Sequence, residues 1–496
     1  MKELADVALN QAQSGGASYA DIRVSRHKNQ SVSTREQRVQ SVSNQESFGF
    51  GVRVLVNGTW GFAASHIVDK ETIAEVTDRA VAIAKANQAA QNRPVTLPPV
   101  KATQAKWDSP IKKDPFDVPI REKIDLLLNA NAEALKVEGA RFVNSRMLFL
   151  NEQKTFASTD GSYIEQNLYR SWPSLSVTAI NPDGGGFESR DLEVYPRGAG
   201  YEFVEETDLV GQAQKTAEEA VMKLSAKSVE PGKKTLILAP SHLWLTIHES
   251  VGHSTELDRA LGYEANYAGT SFLTLDKLGK LKFGSDIVNF RADKTIEGGL
   301  ATCGYDDDGV QTSDWYLVRD GLFIDYQTIR EQVMWPEYRQ ARKNAGLPEV
   351  NESYGCSYGD SWSSIPFQRM PNIHLDAAKE PRSLDDLISG TDDGIYITGR
   401  GSYSIDQQRY NFQFGGQTAW EIKHGKITGM LKDVAYQANT QEFWNACDAI
   451  GDESTWEMGG SYYDGKGQPG QINAVSHGCP PSRFQGINIL NTGRTI

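Results

Sequence analysis

The stretch KTLILAPSHLWLTIHESVGHSTELDRA (residues 234–260) decides how the chain is read. Its first residues are mostly apolar and stop at Pro240, which fits a buried strand closed by a turn. Ser241 stands where an N-cap belongs, so a helix is expected from there on. LWLTI (243–247) then runs straight into His248 and Glu249, and a second histidine follows at 253. An apolar run entering charged groups implies a buried helix whose polar side chains need partners, and a metal ion is one such partner. Neutral imidazoles hold zinc, and an adjacent carboxylate can take the proton of a water whose pKa the metal lowers to about 7. The spacing is unusual: His248 and His253 are five residues apart. Five residues subtend ~140° around a regular helix, where four would leave ~40°. A π-bulge or a helix end would close that angle, and Gly252 would permit the distortion. Two histidines among eight can also meet by chance, as capping or core residues, so these letters alone leave both readings open.

Outward from this helix, the chain past residue 233 reads as short strands and turns. YLVRDGLFIDYQT (316–328) and AWEIKHGKITGMLKDV (419–434) are hairpin-like, turning at Asp320-Gly321 and His424-Gly425. Before it, Pro231-Gly232 marks the clearest boundary. Residues 1–230 read as an N-terminal α+β domain and 231–496 as a β-rich domain carrying the motif helix. The expected fold class is α+β, the first domain being an α/β-sandwich-like arrangement of antiparallel strands and helices. That domain shows two passes of similar outline with a break near 91–115. The first includes an Asn57-Gly58 turn and a helix over 71–91 capped by Asp69; the second includes helices near 119–138 and 204–227.

Composition excludes several classes. Net charge is −13 and no Lys/Arg block is present, so no direct nucleic-acid contact is expected. No apolar run reaches about 18 residues, so no membrane span is expected. Glu3 and Asp6 interrupt what would be a signal-peptide core, and four scattered cysteines form no disulfide framework; both point to the cytoplasm. YDDDGVQ (305–311) lacks the spacing of a calcium loop and reads as a solvated turn. Cys303, Cys356 and Cys447 read as structural, and His477 as either a ligand's partner or a surface residue.

The chain resembles the TldD/PmbA (TldD/TldE) family of zinc metallopeptidases over nearly its whole length. The resemblance is carried by ADIRV (20–24), GFGVRVLVNGTWGFA (49–63), IHESVGH (247–253), DDDGVQTSDWYLVRDGLFIDY (306–326), RMPNI (369–373) and GKGQPGQ (465–471). It implies Zn2+ held by His248 and His253, with Glu249 as general base, as in the catalytic TldD-type subunit. The family's catalytic subunits add a cysteine just before a Gly-Lys stretch. This chain departs there: Asp464 precedes Gly465-Lys466. The third ligand is therefore open between two residues. Cys479, in the constrained context Gly478-Cys479-Pro480, is preferred because thiolate suits zinc; its plain reading is a small buried hydrophobe. Asp464 is the alternative, and its plain reading is an Asp-Gly turn. The resemblance also puts Arg369 and Asn372 near the cleft, as contacts for a peptide backbone. It implies a peptidase acting on unfolded or extended peptides inside the chamber of a dimer, either a homodimer or a heterodimer with a homologue lacking the metal motif. The alternative is a non-catalytic peptide-binding or assembly subunit of such a complex.

Overall fold

The structure, a computed structural model, describes residues 1–493. The first pass of the chain runs from helix Lys2–Ser14 through strands β1 (Tyr19–Arg35), β2 (Arg38–Val56) and β3 (Thr59–Ser65) to helix Lys70–Asn87. Strand β4 (Gln104–Asp108) crosses over. The second pass runs from helix Ile120–Ala134 through β5 (Ala140–Ser158), β6 (Tyr163–Ile180) and β7 (Phe187–Asp191) to helix Leu209–Ser225. Both passes share one sheet, ordered β3-β2-β1-β5-β6-β4, with β7 also on β6. The antiparallel pair β1–β5 is the seam between them.

Local chemistry accounts for the elements. Asn57 and Gly58 both take positive φ, 50° and 75°, the two-residue turn whose twist matches the flanking strands. The Asp69 carboxylate accepts the Thr72 N–H at 2.8 Å and starts the helix there. The helix expected over 204–227 is instead two, Glu202–Glu206 and Leu209–Ser225. Asp208 breaks it at φ 46°, because its carboxylate turns to cap the Gly211 N–H at 3.0 Å.

Alternation along β1 and β2 sorts two buried faces. Ile22, Val24, Val52 and Val54 form a core with the first two helices. The intervening Asp21, Arg23 and Arg53 are also buried, on the face toward the C-terminal half. There Arg23 and Lys154 pair with Asp307 at 3.3 and 2.9 Å, and Arg53 pairs with Asp308 at 2.6 Å. YDDDGVQ is thus no solvated turn: Asp306, Asp307 and Asp308 are 3, 2 and 5% exposed. The opposing cations neutralise Asp307 and Asp308. Asp306 is held by the backbone N–H groups of Asp308, Val310 and Ser357, at 2.9, 2.9 and 3.0 Å.

Among the described residues the C-terminal half has two large sheets and a two-stranded one, Ser357–Tyr358 with Phe367–Gln368. Strands Asp393–Ile405, Gly232–Leu238, Ser482–Asn491, Val434–Asn439 and Asn411–Lys423 pair in that order, and the last pairs back on the first, closing a five-stranded barrel. A six-stranded sheet ends in Asn372–Leu375, Gln471–Cys479 and the edge strand Glu457–Lys466. The motif helix leaves barrel strand Gly232–Leu238 and packs against Glu457–Lys466 and Gln471–Cys479. Both expected hairpins are present: Asp320-Gly321 and His424-Gly425 take positive φ in pairs. Among the described residues no helix is long and apolar enough to cross a membrane.

Candidate metal centre

The motif helix, Pro240–Ile247, starts two residues earlier than its sequence suggests. Pro240 occupies the first turn with Ala239 as N-cap, a position where its missing N–H costs nothing. Ser241 is therefore not the cap; its hydroxyl accepts the Gly399 N–H at 3.1 Å. A π-helical turn, His248–Gly252, follows, and the His253 N–H bonds the His248 carbonyl. This wider turn absorbs the fifth residue and brings the two imidazole centroids to 4.7 Å. Gly252 serves it in a way its sequence does not suggest. Its φ and ψ, −55° and −63°, are ordinary helical values, so backbone freedom is not what the position demands. A Cβ here would sit 2.5 Å from Met370 Sδ; the position demands space.

Hydrogen-bond partners fix both tautomers. His477 is fully buried and burial pushes its pKa well below the usual value, so it is neutral. Its Nδ1 lies 3.3 Å from the Ile373 carbonyl, which can only accept, so Nδ1 carries the proton. Its bare Nε2 then accepts from His248 Nδ1 at 2.8 Å, so His248 Nε2 is the ring nitrogen left for another partner. Burial likewise pushes His253 down to about 4, with Arg409 adding to the shift. His253 Nδ1 donates to Glu256 Oε2 at 3.0 Å. Burial alone would raise Glu256, but Lys466 and Arg259 more than offset it and keep it a carboxylate. His253 Nε2 is therefore bare.

The Nε2 atoms of His248 and His253 lie 3.5 and 3.6 Å from Asp464 Oδ1. Two ring nitrogens thus converge on one carboxylate oxygen, a cluster that a proton or a metal cation between them would hold together. Two imidazoles and a carboxylate are a donor set that zinc accepts. Asp464 is aimed by its strand. The register of edge strand Glu457–Lys466 against Gln471–Cys479 slips between Ser461 and Asp464, a bulge that turns the side chain. Burial disfavours charge on Asp464, but the facing histidines and Arg369, at 3.3 Å, outweigh it and hold the carboxyl well below its usual range. Two residues on, the buried Lys466 bonds Glu256 Oε1 and Asp258 Oδ2 at 2.9 and 2.8 Å, tying the strand to the segment that follows His253.

Glu249 joins the two histidines: one ligand atom from each of the three falls within 4.8 Å of the others. Its Oε2 is paired with the Arg409 guanidinium. These groups line a cavity of about 640 Å³. Trp244, Arg400, Ser461 and Tyr463 also line a neighbouring cleft of about 850 Å³ that reaches the N-terminal sheet at Ser33 and Trp172.

The remaining expected site residues stand apart from this cavity. Cys479 is wholly buried, burial pushes its thiol well above the usual value, and its Sγ lies 3.9 Å from the Pro240 carbonyl. Arg369 is enclosed behind Asp464 and also bonds the Gln471 carbonyl at 2.9 Å. Asn372 is enclosed as well, its amide bonded to Ala301, Ser476, Asp293 and Thr302. Sequence reasoning left His477 open and missed Arg409. No local pattern marks either, since they lie 229 and 160 residues from the side chains they hold.

Comparison with known proteins points to one family. The family model described as PmbA/TldA metallopeptidase C-terminal domain matches residues 231–491, and those for domain 1 and the central domain match 20–84 and 113–224. A protein of Methanothermobacter thermautotrophicus named metalloprotease is 27% identical, with 96% of each chain covered. One of Saccharolobus solfataricus named zinc metalloprotease TldD homolog is 22% identical over 97% of this chain and 98% of its own. The crystal structure of TldE from Thermococcus kodakarensis superposes with a TM-score of 0.68 at 18% identity, covering 97% of this chain and 99% of that one. The last is a likeness of fold.

Proposed function

The chain belongs to the PmbA/TldD family and is a metallopeptidase, and from that premise we propose that His248, His253 and Asp464 hold a zinc ion and that Glu249 is the general base. The observation that carries this reading is the convergence of two imidazole Nε2 atoms on one carboxylate oxygen, at 3.5 and 3.6 Å. Zinc, when bound, supplies a Lewis acid that polarises a carbonyl and acidifies water. The chain's own residues do the rest. His477 and Glu256 fix the tautomers of the two histidines, as outer partners of metal ligands commonly do. Arg369 and Lys466 hold Asp464 against them. Glu249 takes the proton of the attacking water and returns it to the leaving amine nitrogen. The adjoining cleft, walled by Trp172, Trp244 and Tyr463, favours an extended peptide entering from the N-terminal sheet. The family resemblance adds a closed dimer, with itself or with a TldE-type homologue, whose chamber restricts entry to unfolded chains.

Asp464 is preferred to Cys479 because its oxygen faces both histidines, whereas the thiol is outside the cavity. A non-catalytic subunit has the likeness of fold to TldE in its favour and the intact His-Glu-His cluster against it. The test is Glu249→Gln. It should keep its zinc and lose about a hundredfold or more of peptidase activity, because the amide cannot accept the water proton. Unchanged turnover in that variant, at equal zinc content, would remove Glu249 from the mechanism.

A further inference from the structure

We propose that Arg409 is a second catalytic group of this site: it binds the oxygen of the scissile carbonyl as that oxygen becomes an oxyanion. The proposal rests on the metallopeptidase reading above. Arg409 stands in the turn between strands Asp393–Ile405 and Asn411–Lys423 at φ 63°, a left-handed conformation that a side chain disfavours. The turn is held from both sides. The Asp406 carboxylate accepts the N–H groups of Tyr410 and Asn411 at 2.8 and 3.0 Å, and Thr440 donates to the Arg409 carbonyl at 2.8 Å. A disfavoured backbone kept in place this way clusters at functional sites.

The guanidinium is incompletely used. One Nη pairs with Glu249 Oε2. The other is 3.4 Å from the Ala268 carbonyl, a long contact, so each Nη keeps a further N–H to donate, while Nε, enclosed with no acceptor, is out of a ligand's reach. The neighbouring Arg259 differs: its Nε bonds Glu256 at 2.9 Å and an Nη bonds the same Ala268 carbonyl at 2.5 Å. Among the described residues, Arg409 alone combines spare donors, a place in the cavity wall and contact with the general base.

The reaction gives those donors a task. Water attacks the carbonyl carbon; a C–O bond forms and the C=O π pair moves onto oxygen. The water proton goes to Glu249. Negative charge thus leaves the Glu249 carboxylate and appears on the substrate oxygen in the same step. A cation already bound to Glu249 meets an equal charge before and after, so little reorganisation is required, the condition under which fixed charges contribute most. The C=O bond then re-forms, the C–N bond breaks, and Glu249 delivers its proton to the departing nitrogen.

The test compares zinc-loaded wild type, Arg409→Met, Arg409→Ala and Arg409→Lys, with fluorescein-labelled casein peptides as substrate and a peptidyl phosphonate as the tetrahedral mimic. Arg409→Met should lose about 10²–10³ in kcat, the range for a lost oxyanion donor, with KM and zinc content little changed. Phosphonate affinity should fall in step with kcat, product affinity should not, and added guanidinium ion should restore part of the Arg409→Ala rate. Arg409→Lys keeps the charge without the fork and should lose less, which covers a poorly folded methionine variant. Unchanged kcat in Arg409→Met, or lost kcat with intact phosphonate binding and no rescue, overturns the proposal alone. A zinc-loaded wild type that cleaves nothing overturns the metallopeptidase site and this proposal together.

Discussion

Asp464 and Cys479 differ in a way that only folding could decide. They lie 15 residues apart on neighbouring strands of one sheet, and thiolate is by type a fully suitable zinc ligand. Yet burial keeps the Cys479 sulfur a thiol and directs it to a backbone carbonyl, while a bulge turns Asp464 to the histidines. Asp464→Asn should therefore weaken zinc binding by more than the roughly 10–100-fold typical of an outer partner, and Cys479→Ser should leave it nearly intact. Equilibrium dialysis against buffered zinc reads both; a reversed pattern returns the site to a thiolate. The same contrast shows what was legible at this scale. His248, Glu249 and His253 were readable because a helix brings near neighbours together. Arg409 and His477 were not, because nothing local records which distant strand or turn will face that helix.

For single elements, periodicity and turn chemistry carry far. Asn57-Gly58, Asp320-Gly321 and His424-Gly425 each marked a hairpin, since the positive φ that such turns require is written in their residues. The π-turn was legible as an angle problem, its solution only partly so. Gly252 was read as a source of flexibility, but the contact that constrains it, Met370, is 118 residues away and silent in local sequence. Gly252→Ala should cost about 1–3 kcal/mol, the usual range for an overpacked core. Met370→Ala made on top of it should recover part of that cost, because the two sites share one space. Thermal unfolding of the wild type, both single variants and the double variant measures the coupling. Strict additivity would mean that Gly252 is small for a reason other than Met370.

For the whole molecule, buried groups set the response to acid. His242 is enclosed between the Gly399 carbonyl and the Tyr436 hydroxyl, each at 2.9 Å, and burial pushes its pKa down to about 4. His374, equally buried, is also pushed down to about 4. An unfolded histidine titrates near 6.5. Below that pH the unfolded chain takes up protons that the folded chain refuses until about 4. Stability is therefore full above 6.5 and is lost as pH falls toward 4, by about 1.4 kcal/mol per pH unit for each histidine. Urea midpoints of the metal-free protein at pH 7.5, 6 and 5 should fall accordingly, and His242→Gln should flatten the decline; equal midpoints across that range would contradict the assignment. The buried pairs of Arg23, Arg53 and Lys154 with Asp307 and Asp308 carry a different consequence, one of time. Arg53 and Lys154 also have near partners in Asp21 and Glu152, but Asp307 follows Lys154, the last of these cations, by 153 residues, so during synthesis the first sheet carries an excess of cations before Asp307 and Asp308 emerge. At roughly 5–20 residues per second, that interval is about 8–31 s. For that interval the nascent first half displays a positive face, open to any anionic surface near the ribosome, which disappears once the acidic half arrives and covers it.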